Sequence, residues 1–124
     1  MSINYRAFVD YARQNLKASH SEISVRCAIS RAYYSAYHHA FQFHASLPSP
    51  GSPSPENYGR HELLIQQLIN PTVPSQSDRL KSRSLGYILR ILKGRRMKAD
   101  YQLDLDIAPS EAHQTIIETD RLMS

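Results

Sequence analysis

Cysteine and long apolar runs are scarce in this chain of 124 residues, and tryptophan is absent. The one cysteine, Cys27, cannot form a disulfide within the chain, which is typical of proteins in a reducing compartment. No segment approaches the roughly 20 apolar residues that a membrane-spanning helix needs. The N-terminal stretch carries Arg6, Asp10 and Arg13, unlike the apolar region of a signal peptide. These absences predict a cytoplasmic protein without membrane association.

The sequence also lacks the patterns that are typical of several kinds of functional site. The six histidines have no nearby carboxylate or thiol at a spacing that suits zinc. The four glycines form no phosphate-binding loop, and no serine lies in a nucleophile-elbow pattern. We therefore expect no metal site and no cofactor.

Helical periodicity is the main pattern that is present, and no segment alternates as a strand does. The predicted helices cover about 3–17, 20–45, 58–69 and 77–98, with a fifth that begins near Pro109. Ser19 and Glu22 form a predicted capping box for the second helix. Four prolines within 46–55 exclude helix and sheet, so 46–57 is predicted as a mobile loop. The sequence predicts a single all-α domain over 1–124, an up-down bundle of about five helices.

Four of these helices carry one predicted apolar stripe each. The stripes are Tyr5, Phe8, Val9, Ala12 and Leu16 in the first helix; Leu64, Ile65, Leu68 and Ile69 in the third; Leu80, Tyr87, Ile88, Ile91 and Leu92 in the fourth; and Ala112, Ile116, Thr119 and Met123 in the fifth.

The second helix is predicted to lie at the centre of the bundle. Its apolar residues recur at 25, 29, 32, 36, 40 and 43, and a second apolar set at 27, 34, 37 and 41 widens the buried surface. The remaining polar positions step by four, three and four residues, so they share one face. This polar face predicts a site or a wet interface, and its members are Arg31, Ser35, His38 and Gln42.

The fourth helix is strongly basic. Eight Lys or Arg residues lie between Arg79 and Lys98 with no acidic residue among them. Like charges on one helix face repel, which favours an anionic partner such as RNA phosphate. A solvated helix face is the alternative interpretation. The candidate nucleic-acid-binding residues are Arg79, Arg83, Arg90, Lys93, Arg95 and Lys98.

Two segments resemble the HEPN superfamily in order and spacing. Residues 30–40 read Ser-Arg-Ala-Tyr-Tyr-Ser-Ala-Tyr-His-His-Ala, which looks like the second-helix motif Arg-Ala-Tyr-Tyr-Ala-x-x-His-Ala. Residues 96–101 read Arg-Met-Lys-Ala-Asp-Tyr, which looks like the Arg-x-x-Ala-Asp-Tyr ending of the fourth helix. His61, after the variable loop, also fits the pattern. The resemblance covers nearly the whole chain.

The resemblance implies a helical bundle that pairs into a homodimer and cleaves RNA without a metal at a cleft between protomers. It also implies a toxin or prokaryotic defence protein, encoded beside a nucleotidyltransferase antitoxin partner. In the nuclease members an Arg precedes a His by four to six residues near the end of helix four. Here Asp100 stands where that His is expected, whereas His38 follows Arg31 at a similar spacing on helix two.

Metal-free RNA cleavage needs a base for the 2′-hydroxyl, an acid for the leaving oxygen and cations for the charge that builds up. Arginine suits the last role, with Arg96 as first candidate and Arg95 as second. Histidines 38, 39 and 61 are the candidate acids and bases. The candidate catalytic set is Arg96, Asp100, Tyr101, His38 and Arg31.

Each candidate also has a structural interpretation. Asp100 can form an ion pair with Arg31 or Arg96. His38 can be a hydrogen-bonded residue at a dimer seam, and tyrosines 33 and 34 can be core packing. The leading hypothesis is an RNA-binding and RNA-cleaving homodimer. The alternatives are a non-catalytic module that binds a partner protein or a nucleotide, and a subunit that a nucleotidyltransferase modifies at a tyrosine such as Tyr101.

Overall fold

The computed structural model describes residues 3–52 and 59–124, and those ranges form five helices without a strand. The helices are α1 (Arg6–Ala18), α2 (Glu22–Ala45), α3 (Arg60–Ile69), α4 (Gln76–Tyr101) and α5 (Pro109–Met123). The predicted all-helical bundle is confirmed, with helix ends within about three residues of the predicted ones. No helix in these ranges has the length and apolarity that crossing a membrane requires.

Helix α2 is the central element, as predicted, and packs against α1, α4 and α5. The four alanines at 28, 32, 36 and 40 are fully buried, and their small side chains allow the neighbouring helices to approach closely. Tyr33 and Tyr37 are buried as well, whereas Phe41, which was predicted to face inward, is 47% exposed. Ser35 is also buried, because its hydroxyl donates to Tyr5 O at 2.6 Å and accepts from Val9 N at 2.9 Å. It therefore leaves the predicted polar face and anchors the start of α1.

The predicted core stripes of α1, α3 and α5 are confirmed, with Tyr5, Phe8 and Ile69 only partly buried. The predicted stripe of α4 is wrong for three of its five members. Leu80, Tyr87 and Ile91 are each more than half exposed. The inward residues of α4 are instead Ser82, Leu85, Gly86, Leu89, Leu92 and Ala99.

Small residues explain this rotation of α4. Gly86 allows the end of α3 to approach so closely that a Cβ atom there would lie 2.8 Å from Ile69 Cγ1. Ser82 donates its hydroxyl to Leu68 O at 2.6 Å, which satisfies a carbonyl at the end of α3. The α3–α4 contact thus uses the face of α4 that carries small side chains at Ser82 and Gly86.

The predicted capping box is also wrong. Ser21, not Ser19, is the N-cap of α2, and its hydroxyl accepts from Ser24 N. Glu22 turns away from the helix start and accepts from Arg26 Nε at 3.1 Å and from Ile107 N at 3.0 Å. The carboxylate therefore stabilises the segment that joins α4 to α5.

Arg26 fixes the carboxyl end of α4. Its side chain is 6% exposed and donates to the carbonyls of Lys98, Ala99, Gln102 and Leu105. The last carbonyls of a helix have no partner within the helix. Arg26 supplies that partner from α2, and so holds the end of α4 and the segment 102–105 against the centre of the bundle.

Residues 46–52 of the predicted loop fold along the end of α3. Ser52 N donates to Asn70 O at 2.8 Å, and Thr72 donates to the Ser49 hydroxyl at 2.9 Å. Gly51 has a φ of +81°, and a Cβ atom there would collide with Gln67 O. The remainder of the predicted loop, 53–57, lies outside the described residues.

Candidate functional site

Arg96 and three tyrosine rings form the centre of the candidate site. The guanidinium carbon of Arg96 lies 5.8 Å from the ring centroid of Tyr33, 6.0 Å from that of Tyr34 and 5.8 Å from that of Tyr101. The rings come from the middle of α2 and the last residue of α4. Cation–π attraction holds a guanidinium at such distances, so the side chain is fixed in place. We call these four residues the Arg96 cluster.

Asp100 is the ionic partner of Arg96. Its Oδ2 atom lies 2.9 Å from Arg96 Nε, but the Nε–H is not directed at it, so that buried N–H has no hydrogen bond among the described residues. Ser30 donates to the same oxygen at 3.3 Å. Of the two ion pairs predicted for Asp100, the structure forms the one with Arg96.

The terminal nitrogens of Arg96 have few partners. Nη1 contacts the sulfur of Met97 at 3.7 Å, and this is the one hydrogen bond of the guanidinium within the described ranges. Thioether sulfur is a weak acceptor. The cluster therefore positions an arginine whose strongest donors are not used by the fold.

Arg31 also lies near the Tyr34 ring, with its guanidinium carbon 5.7 Å from the centroid. It is exposed, as the predicted polar face requires. Two arginines thus share one tyrosine ring, and a ligand at Tyr34 would have two cations nearby.

His61, the second residue of α3, is brought to the Arg96 cluster by the fold. Its Nδ1 lies 2.6 Å from the Tyr33 hydroxyl, and its ring stacks on Tyr37 with centroids 4.1 Å apart. Burial lowers the pKa of His61 below its ordinary value of 6.5, and the charges of Arg96, Lys93, Arg60 and His38 lower it further. Burial also raises the pKa of the Tyr33 hydroxyl, so that group stays protonated at neutral pH. Because a hydroxyl can donate or accept, Tyr33 fixes the imidazole and leaves Nε2 able to take or give a proton.

The lowered pKa of His61 predicts a loss of stability in acid. The unfolded chain binds a proton at His61 near pH 6.5, whereas the folded chain binds it only at lower pH. The stabilisation is therefore complete above about pH 6.5 and is lost as the pH falls through the folded-state pKa. We expect the difference in unfolding free energy between wild type and His61→Gln to shrink below that pH. Urea unfolding at a series of pH values measures it, with the exposed His113→Gln as control. Parallel curves for wild type and His61→Gln would contradict the expectation.

The other two candidate histidines, His38 and His39, both lie on α2. His38 is exposed, and its ring centroid is 6.5 Å from those of Tyr34 and Phe8. His39 faces α1 and accepts or donates at Nδ1 to the Tyr5 hydroxyl, 2.8 Å away. His61 is therefore the candidate whose pKa responds most directly to Arg96, and His38 borders the cluster through Tyr34.

Carboxylates of neighbouring helices pair with four of the eight cations of α4. Glu62 of α3 lies 3.0 Å from Lys93 and 3.7 Å from Arg90. The chain therefore offsets part of the repulsion between these cations, which in the sequence favoured an external anion. The pairs with α5 are Arg95 with Glu118 at 2.6 Å and Lys98 with Glu111 at 3.0 Å.

Two of the predicted nucleic-acid-binding residues, Arg79 and Arg83, form no ion pair with a carboxylate of the described residues. Arg79 donates to the carbonyls of Val73 and Pro74, at 3.2 and 3.1 Å, and so stabilises the turn before α4. Arg83 is exposed and has no carboxylate within 4 Å among the described residues. The predicted RNA contacts of this helix stay predictions.

Sequence reasoning missed the pairing of His61 with Tyr33 and Tyr37. The available signal was the spacing of 33 and 37, which places both rings on one face of α2. The spacing could not predict where α3 lies. The segment before α3 is rich in proline and glycine, and its sequence does not determine the direction in which the chain continues. In the described ranges, no three His, Cys, Asp or Glu side chains group as metal ligands.

Comparison with known proteins gives no relative. No family model, no curated protein and no solved structure matches the chain.

Proposed function

We propose that this chain is a HEPN-type RNA-binding protein that cleaves single-stranded RNA without a metal ion, at a cleft formed by two copies of the chain. One observation carries the proposal. Arg96 is held among three tyrosine rings with its terminal donors unused by strong acceptors, and His61 lies beside it. The resemblance of residues 30–40 and 96–101 to the HEPN motifs supports the same function.

Arg96 would bind the scissile phosphate. A guanidinium is always charged, and its fork matches the oxygens of a phosphate. Asp100 is an ionic partner without a hydrogen bond to Nε, so a phosphate at the terminal nitrogens does not need to displace it. Tyr101 is 64% exposed and can stack a base or donate its hydroxyl. Arg31, near the Tyr34 ring, would bind a neighbouring phosphate.

His61 would serve as the acid–base group. At neutral pH it is uncharged, so Nε2 can accept the proton of the ribose 2′-hydroxyl as that oxygen attacks phosphorus. The P–O5′ bond then breaks, and the leaving oxygen takes a proton from a second histidine. In a paired cleft this is His38, which must carry the proton that it gives. The products are a 2′,3′-cyclic phosphate and a 5′-hydroxyl, with Arg96 neutralising the charge on the phosphorane.

The first experiment is an RNA cleavage assay in EDTA. Wild type, Arg96→Ala, His61→Ala and His38→Ala are incubated with a mixed-sequence RNA, and the new ends are identified. We expect wild type to leave cyclic phosphate ends and Arg96→Ala to lose at least about a hundredfold in rate, as removal of one such charge-stabilising donor does. His61→Ala is expected to lose a similar factor, and His38→Ala less.

The matched control is Arg121→Ala, an exposed arginine of α5 that removes the same charge away from the cluster. It is expected to cleave as wild type does. Cleavage that persists in Arg96→Ala, or that EDTA abolishes, would contradict the proposal. In cells, growth arrest on expression that Arg96→Ala relieves is the outcome expected of a toxin or defence nuclease.

A non-catalytic interaction module is the second candidate function. Two observations favour it: Asp100 stands in place of the nuclease histidine, and carboxylates of neighbouring helices already pair with four of the eight cations of α4. In that case the cleft binds a nucleotide or a partner such as a nucleotidyltransferase antitoxin. Salt-sensitive RNA binding by wild type without cleavage of any RNA, and no growth effect, would favour this module.

A further inference from the structure

A second concave site lies beside the Arg96 cluster, between the start of the described chain and α2. This cavity of about 560 Å³ is lined by Ile3, Asn4, Tyr5, Phe8, His38 and Gln42. Its volume is within the range of small-molecule sites. We call it the α1–α2 pocket.

Aromatic rings line the pocket. Phe8 and His38 stack there with ring centroids 6.5 Å apart, and Tyr34 packs beside them at 6.1 and 6.5 Å. Tyr5 also lines the pocket, and His39 fixes its hydroxyl at 2.8 Å. Planar aromatic ligands stack on such walls.

Two amide side chains supply the polar part of the pocket. Asn4 Oδ1 accepts from Arg6 N at 2.8 Å, which directs its NH₂ group as a donor. Gln42 is exposed and offers both a donor and an acceptor. Among residues 3–52 and 59–124, no Lys, Arg, Asp or Glu lines the pocket. The chemistry therefore fits an uncharged planar ring with hydrogen-bonding edges and does not fit a phosphate.

We propose that the α1–α2 pocket binds one nucleobase of a single-stranded RNA, stacked on His38 and read by Asn4 and Gln42. This inference rests on the proposed RNA-binding function and adds a base-specific subsite to it. A base must leave its stack to enter such a pocket, so the ligand is a single strand and not a duplex.

The two sites are continuous along α2. Arg31, Tyr34, His38 and Gln42 follow one another at three- or four-residue steps. The Arg31 guanidinium lies 5.7 Å from the Tyr34 ring, the rings of Tyr34 and His38 lie 6.5 Å apart, and His38 and Gln42 line the same pocket. Eight residues of helix, from Tyr34 to Gln42, span about 12 Å. One strand can therefore place a phosphate between Arg31 and Arg96 while a neighbouring base reaches the pocket.

The test is binding of fluorescent homopolymer RNAs of about ten nucleotides, one for each base, together with a chain of the same length without bases. Anisotropy is recorded for wild type, Asn4→Ala and Gln42→Ala over a range of salt. We expect wild type to prefer one base, and each amide variant to bind that homopolymer about fivefold or more weakly and to lose the preference. The salt dependence should not change, because phosphate contacts stay intact.

Two controls separate this inference from the proposed function. Gln114→Ala removes an exposed amide of α5 and should bind as wild type does. Arg96→Ala should weaken all homopolymers alike and reduce the salt dependence. Amide variants with the base preference of wild type would overturn the base pocket alone. A wild type that binds no homopolymer at about 50 mM salt would overturn both proposals.

Discussion

Replacing Arg26 by Met is expected to lower the free energy of unfolding by about 3 kcal/mol. The side chain is 6% exposed and serves four carbonyls at and beyond the end of α4. Methionine fills a similar volume but donates nothing, so the carbonyls of Ala99 and Leu105 lose their partner, while those of Lys98 and Gln102 keep a backbone N–H only. Glu22 is half exposed and can be solvated, so it adds little to the loss.

Urea unfolding at neutral pH measures this effect, with Arg13→Met as the matched control. Arg13 also has two carboxylate partners, Asp10 at 2.9 Å and Asp120 at 2.7 Å. Those partners and Arg13 itself are more than a third exposed, so their loss is expected to change stability by less than about 1 kcal/mol. Equal losses for both variants would show that the carbonyl contacts of Arg26 contribute nothing.

Two glycines of α4 are expected to respond to alanine in opposite directions. At Gly94 a Cβ atom meets nothing within 4 Å, so Gly94→Ala should stabilise the protein by about 1 kcal/mol through helix propensity. At Gly86 it would lie 2.8 Å from Ile69 Cγ1 and 3.2 Å from Ile69 N. Because backbone of α3 must move, Gly86→Ala should destabilise by about 1–2 kcal/mol even after the propensity gain.

Thermal or urea unfolding of the two variants and of wild type shows directly whether each substitution raises or lowers the stability. Each variant is the control for the other, since both make the same chemical change in one helix. A stabilising Gly86→Ala would mean that α3 can move away from α4 at little cost, and that its packing does not fix the position of His61.

The helices could be predicted from the sequence because their signals are local. Apolar spacing, Pro109 at the first position of α5 and the prolines between the helices each act within a few residues. The same spacing gave the central position of α2, since two apolar sets on one helix need partners on two sides.

The inward face of α4 could not be predicted in the same way. Its sequence offers two possible apolar stripes, and the one with Leu80, Tyr87 and Ile91 is the exposed one. What decided between them was the close approach of α3 at Gly86, a contact between helices that periodicity does not contain. The pairing of Asp100 with Arg96 was foreseeable from their four-residue spacing, whereas the approach of His61 depends on that same helix contact.

The pairing of basic side chains on α4 has a consequence for how an anion reaches the protein. Where Glu62, Glu111 and Glu118 lie among those cations, the fields of opposite charges cancel within a few ångströms. Arg31 and Arg60 are exposed on the side of the Arg96 cluster, and no carboxylate of the described residues pairs with them. Their positive field is therefore not cancelled locally, and it would accelerate the diffusional encounter of a polyanion with the opening of the cluster.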